Sequence, residues 1–289
     1  MTLLKVIILA IVQGLAELLP VSSSAHVIVA EKLLGLDPSS PPMTLLLVML
    51  HTGTMLAVIL YFWRQWRAIY FQSASAFRSF AVQVVLATAL TGVIGLGIAW
   101  LIEKTVLRGV PHAQIEDLFG HLEFIAPALA VVGVLILVAG LLERRRPAAT
   151  PAAVPDVDVR RAALIGAVQG LCLPFRGFSR SGATISTGML LGVAKRRAEA
   201  FSFALAVVLT PAVVAREALR LVRDVHAGGA EELRSVALLT VFGAVVALFA
   251  GLLALRWLSR WLEAGRWYFF GIYCLLAALA VGLLHHAGY

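Results

Sequence analysis

The sequence predicts an all-α polytopic membrane protein: an inverted-topology repeat with six transmembrane helices and two re-entrant helical hairpins. Three observations predict it. First, the 289 residues are 61% hydrophobic and only 14% charged, whereas soluble domains carry about 25% charged residues. Second, six mostly apolar stretches reach the roughly 20 residues that a spanning helix needs, and four shorter apolar runs do not. Third, the tetrapeptide VQGL occurs at 12–15 and again at 168–171, an offset of 156 that also brings Ser23 into register with Ser179.

The six long stretches are 43–63, 80–102, 122–142, 198–222, 235–255 and 266–287. The short runs, 2–18, 22–35, 162–174 and 182–194, fall into two pairs, and a polar cluster splits each pair. Runs of this length suit re-entrant segments. Irregular backbone at membrane depth is tolerated only when buried in protein or lining a wet cavity. Each pair is therefore expected to be a helical hairpin tucked into the protein. The order is hairpin, three spans, hairpin, three spans. It divides one membrane domain into repeat one at 1–142, a Pro- and Ala-rich linker at 143–161, and repeat two at 162–289. The N-terminal run contains Gln13 and Glu17 and no A-x-A-like site follows, so it reads as mature structure rather than a signal peptide.

The net charge of +8 and sequence pI near 10.1 would suggest nucleic acid in a soluble protein. Here the arginines sit at the ends of apolar runs, as cytoplasmic membrane flanks do, and no nucleic-acid motif is present. Suppose the first long span runs from outside to inside. Arg64, Arg67, Arg78, Arg144, Arg145, Arg146, Arg160, Arg161, Lys195, Arg196, Arg197, Arg256, Arg260 and Arg266 are then cytoplasmic. Only Lys5, Lys32, Lys104, Arg108, Arg223 and Arg234 fall outside. The bias favours that orientation, and Tyr61, Trp63, Trp66, Trp257, Trp261 and Trp267 are expected at the cytoplasmic interface. Three spans per half is an odd number, so the halves are inverted and the hairpins enter from opposite sides. Their tips can meet near the midplane, as in transporter-like folds. Both termini are expected outside. Cys172 and Cys274 are too few for a disulfide framework or thiolate metal site and read as buried, inert thiols.

The chemistry lies in the two polar clusters. In the first, Gln13 and Glu17 are spaced i, i+4 on one helix face, Pro20 breaks the helix, and Ser22, Ser23, Ser24 and His26 open the next. One serine is accounted for as an N-cap. Three serines, a histidine and a glutamate at membrane depth are not, since a charge there costs at least ~2.5–3.5 kcal/mol. In the second cluster, Pro174 is followed by Arg176, Gly177, Ser179, Arg180, Ser181, Gly182 and Thr184. Arginine among serines and glycines at a helix start suits a phosphate. The alternative is a structural ion pair between Glu17 and Arg176 or Arg180, because buried charges must be paired. Together the clusters offer a carboxylate, an imidazole, hydroxyls, guanidiniums and two helix N-termini, the parts of a phosphoryl-transfer site. The carboxylate could also hold an oxygen-seeking divalent cation.

The stretches QGLAELLPVSSSAH and GFSRSGATIS resemble the two signature motifs of the undecaprenyl-diphosphate phosphatase family of the bacitracin-resistance type. The resemblance extends over essentially the whole chain. It implies removal of one phosphate from the C55 lipid diphosphate, which regenerates the carrier for peptidoglycan synthesis. It further implies a polyprenyl diphosphate substrate within membrane lipid, a bacterial inner-membrane location with the site opening to the extracytoplasmic side, and a Mg²⁺ or Ca²⁺ requirement. A homodimer is left open. Carried over by position, the catalytic set is Glu17, Ser23, His26 and Arg180. The substrate-binding set is Ser22, Ser24, Arg176, Gly177, Ser179, Ser181 and Thr184, and the metal pair is Glu17 with Gln13. Two positions depart from the family pattern: Gln13 stands at the first acidic position, and Arg176 stands where proline usually precedes Gly177. Either Ser23 or His26 could be the nucleophile, with Glu17 or His26 as base.

Rival readings are a polyprenyl-phosphate or anion transporter, which suits inverted repeats equally well, a phosphatidic-acid-type phosphatase and a scaffold. A transporter has no need for Glu17, Ser23 and His26 together. Outside the clusters, His51 in LHTGT either lines a cavity or is a hydrogen-bonded core histidine. Arg216 and Glu217 are expected to snorkel or pair at the interface. Pro127 and Pro211 read as tolerated kinks, and GVIGLG at 92–97 as close helix packing.

Overall fold

The computed structural model describes residues 2–37, 40–105, 121–145, 156–224 and 230–287. These residues form ten helices and no strand: α1 Leu3–Leu18, α2 Ser23–Leu33, α3 Pro41–Tyr70, α4 Ala74–Thr105, α5 Leu122–Arg145, α6 Val159–Leu171, α7 Arg180–Leu190, α8 Lys195–Asp224, α9 Ala230–Glu263 and α10 Tyr268–His286. Each expected segment is one helix. The longer helices overrun their apolar stretches because the hydrogen-bond ladder continues into polar flanks that hydropathy does not count. Both interior prolines, Pro127 in α5 and Pro211 in α8, are carried within continuous helices.

Five helices among the described residues are long and apolar enough to cross a membrane: α3, α4, α5, α9 from Val236, and α10. The sixth expected span, 198–222, is α8, which is not among the five. The side chains of several of its residues, Arg216 and Glu217 included, lie outside the described residues, as do those of Arg108, Arg146, Arg223 and Arg234.

The two hairpins form for local reasons. Proline disfavours helical backbone in the residue before it, so Pro20 stops α1 and leaves Leu19 extended at φ −76°, ψ 151°. Ser22 then takes a left-handed φ of 68°, which turns the chain into α2. In the second hairpin, α6 starts on Asp158, whose carboxylate accepts the Arg161 N–H at 2.7 Å. Gly177, at φ 95°, makes the tip turn. Ser179 caps α7 by accepting the Gly182 N–H at 3.2 Å.

Bonds across each hairpin base place the two hairpins. The Lys5 ammonium reaches the Leu34 carbonyl at 2.7 Å, so the first base lies where α3 begins. Arg161 Nε donates to the Leu191 carbonyl at 3.2 Å, and Arg197 lies 3.6 Å from Asp156. The second base therefore lies where α8 begins. The start of α8 touches the far end of α3, where Trp66 Nε1 donates to the Ala200 carbonyl at 3.0 Å. It also meets the ends of α5 (Lys195–Glu143, 3.5 Å) and α9 (Arg196–Glu263, 2.7 Å). The hairpins thus rise from opposite ends of the bundle.

Around them α3 lies along α9, α5 along α10, and α3 against α8; α1 packs on α9 as α6 packs on α4. The close approach of α4 and α6 requires Gly166, where a β-carbon would collide with the Ala87 backbone. Leu9, Leu46, Leu50, Ile125, Leu129, Phe201 and Phe203 are fully buried. The outer face is apolar as well: Val85, Val93 and Leu96 on α4 are 68–71% exposed, the arrangement that lipid contact favours and water does not.

Three expectations need correction. Trp66 and Trp267 stand near helix ends but turn into the core instead of outward. Their indole N–H groups are satisfied by the Ala200 carbonyl and by Ser186 Oγ at 2.9 Å, which makes them core residues with a polar tip. In GVIGLG only Gly95 sits against a neighbouring helix, at Leu173 and the Gly170 carbonyl, while Gly92 and Gly97 face open space. Cys274 is buried, but Cys172 is only half-buried.

Candidate active site

The two hairpin tips meet. The Gly177 N–H donates to Ser24 Oγ at 3.3 Å, and Ser181 Oγ donates to the Leu19 carbonyl at 3.3 Å. Gly177 is required twice over at this junction. Its positive φ disfavours a side chain, and a β-carbon would stand 2.6 Å from the Ile125 carbonyl oxygen. Gly177→Ala is therefore expected to push the second tip off α5 and lower thermal stability by about 1–3 kcal/mol. Thermal unfolding of the detergent-solubilised protein checks this.

At the junction Glu17 is the hub. Its Oε2 accepts from Ser23 Oγ at 2.5 Å and from Gln13 Nε2 at 3.2 Å, and its Oε1 accepts from Arg180 Nη2 at 3.0 Å. His51 Nε2 stands 3.9 Å from Oε2. Helix geometry sets this up: Gln13 lies one turn before Glu17 on α1, Ser23 starts α2, and Arg180 starts α7. The ion pair weighed from the sequence therefore exists between Glu17 and Arg180, both largely buried. It does not account for the whole guanidinium, because Arg180 Nη1 is buried with no partner among the described residues. The pair borders a cleft of about 10 Å³, room for about one water. His51, Thr54 and Thr210 line its other sides.

His26 turns away from the hub. Its Nδ1 bonds the Ser22 carbonyl at 2.8 Å and its Nε2 bonds the Tyr273 hydroxyl at 2.7 Å, the two rings stacking with centroids 5.7 Å apart. Ser22 Oγ lies 3.2 Å from Ser24 Oγ. The remaining predicted site residues hold the frame together. Ser179 caps α7 and Ser181 bonds Leu19. Thr184 donates to the Arg180 carbonyl at 2.8 Å and lies 2.6 Å from Ser202 Oγ. Arg176 is exposed at the second tip, beside the buried Glu31 carboxylate of α2.

The donor set limits what metal the site could hold. Among the described residues no group of three or more His, Cys, Asp or Glu could bind an ion. Glu17 supplies one carboxylate; Gln13 here turns its amide N–H to Glu17 Oε2 and would supply one neutral oxygen on flipping its amide. That fits the kind of Mg²⁺ site in which one or two carboxylates share the ion with substrate phosphates, and not an all-protein cage.

His51, whose signal is a histidine inside an apolar span, meets both alternatives of the sequence reading: it lines the cleft and bonds the Leu47 carbonyl at 2.8 Å. Two contributors escaped that reading. Thr54 and Tyr273 carried no such signal, since a threonine one turn on and a tyrosine in GIYCLL are ordinary in a membrane helix.

The family model described as bacitracin resistance protein BacA matches residues 6–280. An Acinetobacter baylyi protein named undecaprenyl-diphosphatase 2 is 57% identical over 278 residues, covering 95% of this chain and 95% of that protein. An undecaprenyl-diphosphatase of Anaeromyxobacter sp. is 36% identical, covering 98% of this chain and 88% of its own. One of Rhodopirellula baltica is 32% identical, covering 98% of both.

Proposed function

Given that this chain belongs to the bacitracin resistance protein BacA family, we propose that the junction of its two hairpins is where it hydrolyses undecaprenyl diphosphate. The protein is an undecaprenyl-diphosphatase, a phosphoric anhydride hydrolase whose lipid product re-enters cell-wall synthesis. One observation carries the assignment of the site: the Ser23 hydroxyl donates to a carboxylate that is itself bound to a guanidinium with a free N–H group.

Arg180, with Nη1 and the N-terminus of α7, holds the terminal phosphate by charge-assisted hydrogen bonds. Ser23 Oγ attacks the terminal phosphorus while its proton passes to Glu17 Oε2, and the bond from that phosphorus to the bridging oxygen breaks. Undecaprenyl phosphate leaves with the bonding pair. Glu17 passes that proton to the departing phosphate oxygen and is a carboxylate again. Water then attacks the phosphoserine, Glu17 takes its proton and returns it to Ser23 Oγ as the serine O–P bond breaks, and inorganic phosphate and free Ser23 result. The geometry favours Ser23 over His26 as nucleophile, because both ring nitrogens of His26 are already bonded elsewhere. A divalent cation, held by Glu17 and the Gln13 oxygen together with substrate phosphates, would neutralise developing charge.

The same reading places six membrane crossings, with α8 as the sixth, and two re-entrant hairpins in a bacterial inner membrane. The site opens to the extracytoplasmic side, and the halves 1–142 and 162–289 are related by inversion. The opposed hairpin bases, the mirrored α1–α9 and α6–α4 pairs and the Lys/Arg bias support it.

The test is phosphate release from a C15 or C55 prenyl diphosphate by purified protein, followed by mass analysis of the Ser23 peptide after a rapid acid quench. Release with a phosphorylated Ser23 peptide is expected. Release without it, but with phosphorylated His26, would overturn Ser23 as nucleophile. Tyr273→Phe is expected to leave kcat within about twofold of the parent, because the bond it removes holds a His26 ring turned away from Glu17 and Ser23; steady-state kinetics read it. Chelation is expected to abolish release and Mg²⁺ to restore it. Gln13→Glu is expected to shift half-activation to lower Mg²⁺, since a second carboxylate raises the charge offered to the ion.

A further inference from the structure

A second pocket lies outside the hairpin junction. It sits at the start of α10, between the end of α5 and the α9–α10 turn, and has a volume of about 510 Å³. Arg144, Trp261, Arg266, Tyr268 and Phe269 line it. The turn is built to present these groups. The Gly265 N–H bonds the Leu262 carbonyl and the Arg266 N–H bonds the Trp261 carbonyl at 2.8 Å, with Gly265 at φ 68°. This fixes Arg266 beside the first turn of α10. The Arg144 guanidinium stacks 5.0 Å over the Tyr268 ring.

The charge at this pocket is unbalanced. Neither Arg144 nor Arg266 has a carboxylate partner among the described residues. The two nearby glutamates are engaged elsewhere, Glu143 by Lys195 at 3.5 Å and Glu263 by Arg196 at 2.7 Å. Residues 146–155, RPAATPAAVP, contribute no acid in sequence. Arg256 and Arg260 add exposed positive charge on the neighbouring turns of α9. Two open guanidiniums beside an indole and a tyrosine make a site for a phosphate group, which arginine binds bidentately. The half-buried and exposed aromatics, Trp257 and Trp261 with Phe269, place that site at the level where a bilayer's headgroups lie.

We propose that this pocket binds the phosphate of an anionic phospholipid headgroup, and that Arg144 and Arg266 are its ligands. The assignment to the cytoplasmic leaflet, whose surface is negative, rests on the orientation given above; the pocket chemistry does not. The site is separate from the hairpin junction and uses none of its residues.

Native mass spectrometry of detergent-purified protein titrated with phosphatidylglycerol or phosphatidylcholine tests this, and the result does not depend on orientation or on catalysis. The parent is expected to bind phosphatidylglycerol about tenfold more tightly than does Arg144→Ala/Arg266→Ala, as loss of charge-assisted hydrogen bonds gives. Phosphatidylcholine, whose choline cation offsets its phosphate charge, is expected to bind the parent more weakly and to lose less in the double variant. Exposed arginines elsewhere, changed in Arg67→Ala/Arg78→Ala, are expected to leave the preference intact. Equal loss in that control would show diffuse attraction and overturn the proposal. So would an undiminished preference in the first variant, or displacement of the lipid by millimolar inorganic phosphate, which would assign the pocket to the free ion. An unchanged unfolding temperature and unchanged phosphate release certify that the double variant is folded. Absence of release in parent and variant alike would instead count against the hydrolase reading and leave the lipid result standing.

Discussion

Ser23→Ala is expected to lower phosphate release from a prenyl diphosphate by about 10³- to 10⁶-fold, the range that follows when a nucleophile is removed from a group acting as a unit. Its fold should survive. The change deletes one hydrogen bond, from Ser23 Oγ to Glu17 Oε2 at 2.5 Å, with a stability effect of about 1 kcal/mol. Glu17 would keep Gln13 and Arg180 as donors. A thermal melt and an initial-rate assay on the same preparation separate the two effects. His26→Gln is the necessary companion, since it tests the other candidate nucleophile at similar size. Were Ser23→Ala to retain a tenth of the parent rate while His26→Gln lost nearly all, the nucleophile would have to be moved to the imidazole.

The second large effect concerns the Glu17–Arg180 pair. Arg180→Lys is expected to reduce release by about 10³- to 10⁵-fold, the range seen when an arginine clamp on a transferring phosphoryl group is lost. An ammonium keeps the charge but lacks the fork that lets Nη2 hold Glu17 while Nη1 stays free for an oxygen. Glu17→Ala should cost stability too. It would strand a largely buried guanidinium that already lacks a partner at Nη1, at about 3–5 kcal/mol. In Glu17→Gln/Arg180→Gln, where neither charge remains, part of that loss should return. A double-mutant cycle on unfolding temperature measures the coupling, and a purely additive result would show that the pair is not coupled in the folded state.

Much of this was legible in the sequence because two signals are local. Apolar run length separated the long helices from the short ones, and Pro20 and Pro174 marked where each short pair breaks. The serine clusters also announced the site, since polar groups at such depth need a reason. The sequence could not show how individual side chains divide their bonds. Ser179, Ser181 and Thr184 read as substrate-binding, and in the structure they bond backbone and neighbours that hold α7 in place. His26 read as a candidate base or nucleophile, but its bond to Tyr273 spans 247 positions, and no periodicity reports a contact that distant. Trp66 and Trp267 were misplaced for a related reason. Their position near a helix end was correct, whereas the direction of the ring depends on which helix packs beside it.

The contact between Glu17 and Arg180 also bears on how the enzyme empties itself. In the structure the carboxylate keeps Nη2 and leaves only Nη1 to a phosphate oxygen. Its negative charge, fixed beside that N–H, repels any anion that binds there. A ligand holding on by a single phosphate sets one guanidinium N–H against that repulsion and gains little. The diphosphate, with its long lipid anchor, gains enough. Once the anhydride is cut, inorganic phosphate has no anchor, so it is expected to be a poor inhibitor and to leave promptly.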